Sequence, residues 1–254
     1  MPAIEVKNLV KKFKQTVAVN DISFSVAAGE CFGLLGPNGA GKTTTINILS
    51  TLLKPTSGRA FVAGFDVAKN KKEVRQNIGL VFQEPALDSK LTGLENLEFH
   101  AMMYGLPAKL RRERIKDLLA LVELSEKANT LVQNYSGGMK RRLEIARGLS
   151  HQPKVLFLDE PTLGLDLQTR KLIWTYIKKL LTEHAVTIIL TTHYMEEADF
   201  LCNRIGIIDQ GKIVALDTPA NLKAPLGPQT SLDDVFLHYI GSDIRNTEER
   251  EKIW

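Results

Sequence analysis

Eight consecutive residues near the start of the chain have the types and spacing needed to hold a triphosphate. They match the motif G-x-x-x-x-G-K-[ST] and are Gly36, Pro37, Asn38, Gly39, Ala40, Gly41, Lys42 and Thr43, followed by Thr44. The glycines let the backbone curl so that successive N–H groups point at an anion, and the following helix adds the positive end of its dipole. Lys42 supplies a full charge to the β- and γ-phosphates, and the Thr43 hydroxyl can ligate Mg²⁺. The pattern therefore predicts a nucleoside-triphosphate site.

Two adjacent carboxylates follow a later apolar run. Residues 155–158 are all apolar and lead directly into Asp159 and Glu160. Such a run predicts a buried strand, and ligands of open α/β sheets bind at the carboxyl ends of the strands. Asp159 is therefore predicted to hold the metal ion. Glu160, one position further on, is predicted to face the γ-phosphate as the general base.

A second candidate anion site lies ahead of this strand, where Ser136, Gly137 and Gly138 open a predicted helix. The Ser136 hydroxyl can cap the helix, the glycines leave their N–H groups accessible, and the helix dipole favours a negative charge. Taken alone, the same residues also fit an ordinary serine cap after a turn.

The scaffold that must position these residues alternates strands with helices. Apolar runs at 31–35, 155–159 and 186–191 predict buried strands, residues 21–26 alternate as in a half-buried strand, and further strands are predicted at 59–63, 78–83, 205–209 and 212–216. Helices are predicted at 41–53 and 167–184, over two segments within 94–124, and from 136 onwards. The alternation predicts an α/β fold with a mostly parallel sheet.

Together these motifs resemble those of the ATP-binding cassette (ABC) ATPases, from about residue 3 to residue 222. The resemblance implies an α/β fold: a P-loop NTPase (RecA-like) core with a mostly parallel sheet, an N-terminal antiparallel β part and a helical subdomain inserted at about 84–151. It implies one ATPase domain over 1–222 and a short C-terminal tail with one helix over 223–254. ATP and Mg²⁺ are the implied cofactors.

The resemblance also assigns roles to single residues. Phe13 corresponds to the aromatic that stacks on adenine, where tyrosine is frequent, and would otherwise be a core phenylalanine. Gln83 resembles the glutamine that reaches Mg²⁺ and links the sheet to the helical insert. Asp166 ends a loop that crosses the dimer interface, and His193 resembles the switch histidine that contacts the γ-phosphate. Met139 departs from the family pattern, which commonly has glutamine there.

A finer resemblance is to the ABC-2-type exporter branch, whose best-known members are daunorubicin-resistance-type ATPases. It rests on residues 64–67, 74–79, 87–88, 91–97, 104–106 and 231–237 and on Gly241. This branch implies export through a separate transmembrane permease subunit, with the ATPase peripheral on the cytoplasmic face of the cell membrane. It also implies a homodimer or a paired ATPase subunit, in which Ser136, Gly137 and Gly138 bind the ATP held by the other subunit.

Composition limits the other classes of protein. The chain has 254 residues, 44% of them apolar, and a net charge of +4, which is too mild to indicate a nucleic-acid partner. A membrane-spanning helix needs roughly 20 mostly apolar residues, and the apolar runs here are much shorter. The N-terminal residues lack the apolar stretch of a secretory signal. Cys31 and Cys202 are too few for a disulfide framework and fit a reducing compartment.

Two other classes of nucleotide-binding protein share part of these motifs. A soluble ABC ATPase that remodels nucleic acid or ribosomes would show a long coiled coil or two cassettes, whereas no sustained heptad repeat separates Lys42 from Ser136. A GTPase would need an N-K-x-D motif, but residues 70–73 end in Glu73. The basic runs at 69–72 and 140–142 are predicted to be solvated faces or interface charges rather than a nucleic-acid groove.

Overall fold

The computed structural model describes residues 2–84 and 86–251, the last ten of these by their backbone alone. In chain order the elements are β1 (Ile4–Phe13), β2 (Thr16–Val26), β3 (Cys31–Leu35), α1 (Lys42–Leu49), β4 (Ser57–Val62), β5 (Phe65–Asp66), α2 (Lys71–Asn77), β6 (Ile78–Val81), α3 (Gly93–Met103), α4 (Ala108–Leu121), α5 (Gly137–Leu149), β7 (Val155–Asp159), α6 (Leu167–His184), β8 (Thr187–Thr192), α7 (Met195–Leu201), β9 (Arg204–Asp209), β10 (Lys212–Asp217), α8 (Pro219–Lys223) and α9 (Leu232–Glu251).

The central sheet has the strand order β10-β9-β3-β8-β7-β6, and only β10 at its edge runs antiparallel to its neighbour. Every residue of β3, β7 and β8 is buried, as expected for strands covered on both faces. Leu35 pairs with Thr192, and Asp159 with Thr191, at the carboxyl ends of these strands. The carboxyl ends of the parallel strands thus form one edge of the sheet, and this edge carries the phosphate motif, the two carboxylates and His193.

A second sheet packs beside the first and is antiparallel throughout, in the order β2-β1-β4-β5. Its inward side chains include Ile4, Leu9 and Phe24, and they share one apolar core with residues of α1 and the central sheet. This sheet is the predicted N-terminal antiparallel β part. The sequence pattern had not identified β1 as a separate strand.

Helices α3, α4 and α5 lie between β6 and β7, within the predicted interval 84–151. Helix α3 begins with a capping box, in which Thr92 and Glu95 bond each other's backbone N–H groups. Leu97, Leu119 and Leu143 from the three helices share a core with side chains of α6. The division of the chain into a domain over 1–222 and a tail over 223–254 remains a prediction, and residues 252–254 of that tail lie outside the described residues.

Local capping explains where the helix predictions differ from the structure. Helix α1 ends at Leu49 rather than near residue 53, because Thr51 adopts a left-handed conformation with φ 68°. Helices α2 and α7 have seven residues each, too few for the apolar periodicity to repeat. Across the residues with described coordinates, none of the helices combines the length and apolar character needed to cross a membrane.

Candidate active site

The phosphate motif forms a loop that leaves β3 and enters α1, packed tightly against its surroundings. A Cβ atom added at Gly36 would lie 2.2 Å from the carbonyl oxygen of Ile208. One added at Gly41, where φ is 109°, would lie 2.4 Å from the carbonyl oxygen of Ala18. Only glycine allows these close approaches, so the motif's first and last glycines are fixed by packing.

Lys42 is the first residue of α1, and its side chain folds back into this loop, so that the residue is only 6% exposed. Its ammonium donates to the carbonyl oxygens of Gly36 at 2.7 Å and Pro37 at 3.0 Å. Burial lowers the pKa of Lys42, and the carboxylates of Glu160 and Asp159 oppose that shift. A buried cation aimed into the loop is therefore in place to pair with the anionic phosphates of a nucleotide.

Asp159 and Thr43 bring two oxygen ligands together. The Thr43 hydroxyl lies 3.3 Å from Asp159 Oδ1, and the Thr191 hydroxyl donates to the same oxygen at 2.5 Å. Hydroxyl and carboxylate oxygens are the ligands that Mg²⁺ prefers. The chemistry of this donor set therefore fits the predicted metal ion, and Gln83 lines one pocket together with Thr43 and Asp159.

Glu160 directs its side chain toward His193. Its Oε2 lies 3.3 Å from His193 Nδ1, and Glu160 is 9% exposed. The backbone of Glu160 is left-handed, with φ 47°, and its N–H donates to both the carbonyl and the hydroxyl oxygen of Thr191 at 3.1 Å. This carboxylate thus lies at the edge of the cavity beside the imidazole of His193.

The cavity at this edge has a volume of about 620 Å³. It is lined by Gly36, Pro37, Asn38, Gly39, Gly41, Lys42, Thr43, Thr44, Gln83, Glu160, Leu163, His193 and Phe236. Leu163 and Phe236 were not predicted to line it. Phe236 comes from α9, whose placement beside the phosphate loop could not be read from local patterns.

Two predicted site residues, Ala40 and Phe13, lie outside this cavity. Ala40 is buried beneath the loop, where its carbonyl accepts from the N–H of Gly211 at 3.0 Å. Phe13 ends β1 with 43% of its surface exposed and the Lys11 ammonium 4.9 Å from its ring centre. Neither lines the cavity. The role of Phe13 toward adenine stays a prediction.

Ser136, Gly137 and Gly138, which form the second candidate anion site, also lie outside the cavity of their own chain. We call them the signature residues, and α5, which they open, the signature helix. The Ser136 hydroxyl caps α5 by accepting from the N–H of Met139, and Ser136 and Gly137 are exposed. Asp166 caps α6 and is likewise exposed. A Cβ added at Gly138 would lie 2.4 Å from Cγ2 of Thr169 in α6, so α5 and α6 begin side by side.

One basic run was interpreted incorrectly. Arg141, predicted with its neighbours to be a solvated or interface charge, is 6% exposed and forms a salt bridge of 3.2 Å with the buried Glu144. Its guanidinium also reaches backbone carbonyls next to Gln83 and at Glu160. The run of consecutive basic residues on α5 gives no signal that Arg141 points inward.

Known proteins provide an independent comparison. The sequence profile described as ABC transporter matches residues 19–163. The linearmycin resistance ATP-binding protein LnrL of Bacillus subtilis is 45% identical over 227 residues, which cover 89% of this chain and 73% of that protein. The daunorubicin resistance ATP-binding protein DrrA2 of Streptomyces coeruleorubidus is 44% identical over 225 residues, which cover 89% of this chain and 70% of that protein.

Among solved structures, the ATP-binding cassette MJ0796, in a dimeric post-hydrolysis state bound to ADP and Pi, has a TM-score of 0.77 and 31% sequence identity. The match covers 85% of this chain and 98% of that chain. It confirms the predicted P-loop NTPase fold with its mixed sheets and inserted helices. The phosphate loop, the acidic pair and these similarities agree: the chain belongs to the ABC transporter family and is an ATP-binding ATPase subunit of that family.

Proposed function

We propose that the chain is the ATPase subunit of an ABC-2-type exporter, working at the cytoplasmic face of the membrane with a separate permease. ABC ATPases act with membrane permeases and dimerise, and the daunorubicin and linearmycin resistance relatives support export. The observation that carries the proposal is that the predicted site residues of one chain lie at two separate places on its surface. Lys42, Glu160 and His193 share one cavity, whereas Ser136 and Asp166 face outward from it.

In this function the phosphate loop and Lys42 bind the triphosphate, and Glu160 accepts a proton from the attacking water. His193, 3.3 Å from Glu160, orients that carboxylate and contacts the γ-phosphate. Thr43, Asp159 and Gln83 would hold Mg²⁺, which supplies charge neutralisation at the β- and γ-phosphate oxygens when bound.

A second subunit completes each site. The exposed N-terminal end of α5, capped by Ser136, offers N–H groups and a helix dipole to the ATP of the partner. Because these groups do not line the chain's own cavity, two chains bind two ATP molecules between them. ATP closes the dimer, and hydrolysis assisted by Glu160 reopens it.

An exposed apolar patch supports docking on a membrane permease. Helix α3 exposes Phe99, Met102 and Met103 to 61%, 54% and 71%. Clusters of exposed apolar side chains mark interaction sites on soluble surfaces. The groove near Gln83 and residues 87–96 would then receive a cytoplasmic helix of the permease. The nucleic-acid alternative gains no support from the relatives, which are named for drug resistance.

The test of this function is Glu160→Gln. The amide keeps the shape of the side chain but cannot accept the proton, so ATP binding should persist while phosphate release falls by about 100-fold or more. With ATP the variant should elute as a stable dimer in size-exclusion chromatography. The matched control is Glu183→Gln at the far end of α6, which should hydrolyse ATP like the unaltered chain.

Near-normal phosphate release by Glu160→Gln would refute the role of this carboxylate. Competition by GTP as effective as competition by ATP would favour a GTPase instead. The transport function has a separate readout: the ATP-trapped variant, co-expressed with a membrane protein encoded beside it, should co-purify with that protein. A chain that hydrolyses ATP but binds no membrane protein would contradict export.

A further inference from the structure

The helix that carries the signature residues reaches the candidate base through one side chain. Arg141, in the second turn of α5, donates from Nη2 to the carbonyl oxygen of Glu160 at 2.7 Å and from Nε to that of Pro161 at 2.5 Å. Its Nη1 donates to the carbonyl oxygen of Phe82, directly before Gln83, at 2.5 Å. Three carbonyls at the ends of β6 and β7 thus meet one guanidinium.

This contact is built into the interior of the molecule. Arg141 is 6% exposed, and Glu144, one turn further along α5, is fully buried and balances its charge at 3.2 Å. Glu144 in turn accepts from the N–H of Ala86 at 2.7 Å. Only arginine presents several N–H donors in a rigid fork, so a lysine cannot replace all of these hydrogen bonds.

The backbone of Glu160 needs such support. Its φ of 47° is a left-handed conformation that costs of order 1–3 kcal/mol for a residue with a side chain. The strain persists only where the surroundings fix the peptide on both sides. Thr191 holds the N–H of Glu160, and Arg141 holds its carbonyl. The conformation that results directs the carboxylate toward His193.

We propose that Arg141 is a positioning residue, which holds Glu160 in its left-handed conformation. The inference rests on the proposed function, in which Glu160 is the base. It adds that α5, whose N-terminal end serves the ATP of the partner subunit, is joined through Arg141 to the hydrolytic residue of its own subunit.

The experiment compares Arg141→Lys with Arg142→Lys. Arg142 is the next residue of α5, but its hydrogen bonds go to the carbonyl oxygen of Val122 and the Tyr176 hydroxyl rather than to either strand end. Because misplacing a reacting group by about 1 Å can cost a factor of about 100, Arg141→Lys should lower kcat by about 10-fold or more. Its KM for ATP should stay within about 2-fold, and Arg142→Lys should match the unaltered chain in both constants.

A merely structural role is excluded by repeating Arg141→Lys in the Glu160→Gln background. If Arg141 acts by positioning Glu160, the slow residual turnover of Glu160→Gln should change by less than about 2-fold when Arg141 is also replaced. Equal losses in both backgrounds would overturn the proposal, and so would an unchanged kcat in Arg141→Lys. A chain without ATPase activity before any substitution would instead refute the proposed function.

A second pair of substitutions covers loss of folding. Removing one member of a buried ion pair destabilises strongly, whereas removing both charges costs less. If Arg141→Lys does not fold, Arg141→Gln combined with Glu144→Gln takes its place, with the same expected loss of kcat. Glu144→Gln alone leaves Arg141 without its counter-charge and should lower the unfolding temperature, but it keeps all three carbonyl contacts of Arg141, so the folded variant should retain kcat within about 2-fold. A loss of kcat in Glu144→Gln equal to that in the double variant would contradict the proposal.

Discussion

The two glycines that follow Ser136 occupy different environments although they are neighbours in the sequence. A methyl group at Gly137 would meet only Leu165 Cδ2, at an ordinary contact distance of 3.6 Å. A methyl group at Gly138 would lie 2.4 Å from Cγ2 of Thr169, which cannot swing away because its hydroxyl donates to Asp166 at 2.7 Å. The second glycine is therefore fixed by the packing of α5 against α6.

This difference gives a prediction for single residues. Gly138→Ala should lower the free energy of unfolding by about 1–3 kcal/mol, because overpacking forces α5 and α6 apart. Gly137→Ala is the control and should unfold at nearly the same temperature as the unaltered chain. Thermal unfolding followed by circular dichroism measures both.

The clash can be removed from its other side. Thr169→Ser deletes the methyl group that the new Cβ would meet and keeps the hydroxyl that bonds Asp166. In the Gly138→Ala background it should recover most of the lost stability, whereas in the unaltered chain it should cost little. Failure of this rescue would show that the helices are not packed at this point as described.

Among the helices, α3 and the end of α5 meet through half-buried histidines. His100 Nδ1 lies 2.9 Å from the Ser150 hydroxyl, and the ring of His151 stacks on Tyr104 with centroids 3.7 Å apart. Burial lowers the pKa of His100 to about 4, with further contributions from Arg147 and His151, and burial also lowers the pKa of His151. The contact between these helices thus depends on neutral imidazoles.

The stability of the chain should therefore fall as the pH decreases. The unfolded chain protonates His100 near its ordinary pKa of 6.5, whereas the folded chain resists protonation until about pH 4. Between these values the unfolded state binds more protons, so the stabilisation is complete above pH 6.5 and lost toward pH 4. His100 alone accounts for up to about 3 kcal/mol of that loss, at about 1.4 kcal/mol for each pKa unit. Urea unfolding at pH 7 and pH 4.5 measures it.

His100→Asn is the informative variant, since the amide can still bond Ser150 but does not titrate in this range. It should lose less stability than the unaltered chain between the two pH values. His238→Asn, on the exposed part of α9, serves as the control and should keep the full pH dependence. If His100→Asn and the unaltered chain lose the same free energy, the dependence arises elsewhere.

At the scale of elements, the sequence predicted what local pattern and capping determine. The buried strands β3 and β7 and helix α6 have the predicted bounds because an uninterrupted apolar run or a clear cap marks each end. The short helices α2 and α7 were missed because their burial comes from tertiary packing rather than from periodicity. The same applies to Phe236, which α9 brings to the cavity from a distant part of the chain.

Arg141 shows this limit for a single residue. In the sequence it stands in a basic run on an amphipathic helix, a pattern that favours solvent. Its acceptors are backbone carbonyls of Phe82, Glu160 and Pro161, which carry no side-chain signal and come from two other strand ends. The type of a residue can predict chemistry at a phosphate loop, but it cannot show which carbonyls a folded chain will present to a guanidinium.

In the whole molecule, the ATP cavity and the signature helix face outward at separate places. Lys42 lies in the cavity, whereas Ser136 is exposed outside it. If two chains pair so that each completes the other's site, a defect in one chain's phosphate loop and a defect in another chain's signature helix can be combined in a single dimer. The remaining phosphate loop and the remaining signature helix then form one intact site.

This arrangement predicts rescue between two inactive variants. Lys42→Ala removes the phosphate-binding charge, and Ser136→Arg blocks the signature helix, so each variant alone should release almost no phosphate. Mixed in equal amounts, they should recover about a quarter of the unaltered activity, because about half of the dimers are mixed and each has one intact site of two. Phosphate release by the mixture, measured over a range of total protein concentration, tests this.

The control places both substitutions in one chain. A mixed dimer of Lys42→Ala/Ser136→Arg with the unaltered chain has one damaged half in each of its two sites, so the double variant should inhibit the unaltered chain instead of being rescued by it. If each chain formed a complete site by itself, the two single variants would remain inactive when mixed, and the double variant would leave the unaltered chain undisturbed. The direction of the change in activity, gain for the two singles and loss for the double, therefore identifies a site shared between two subunits.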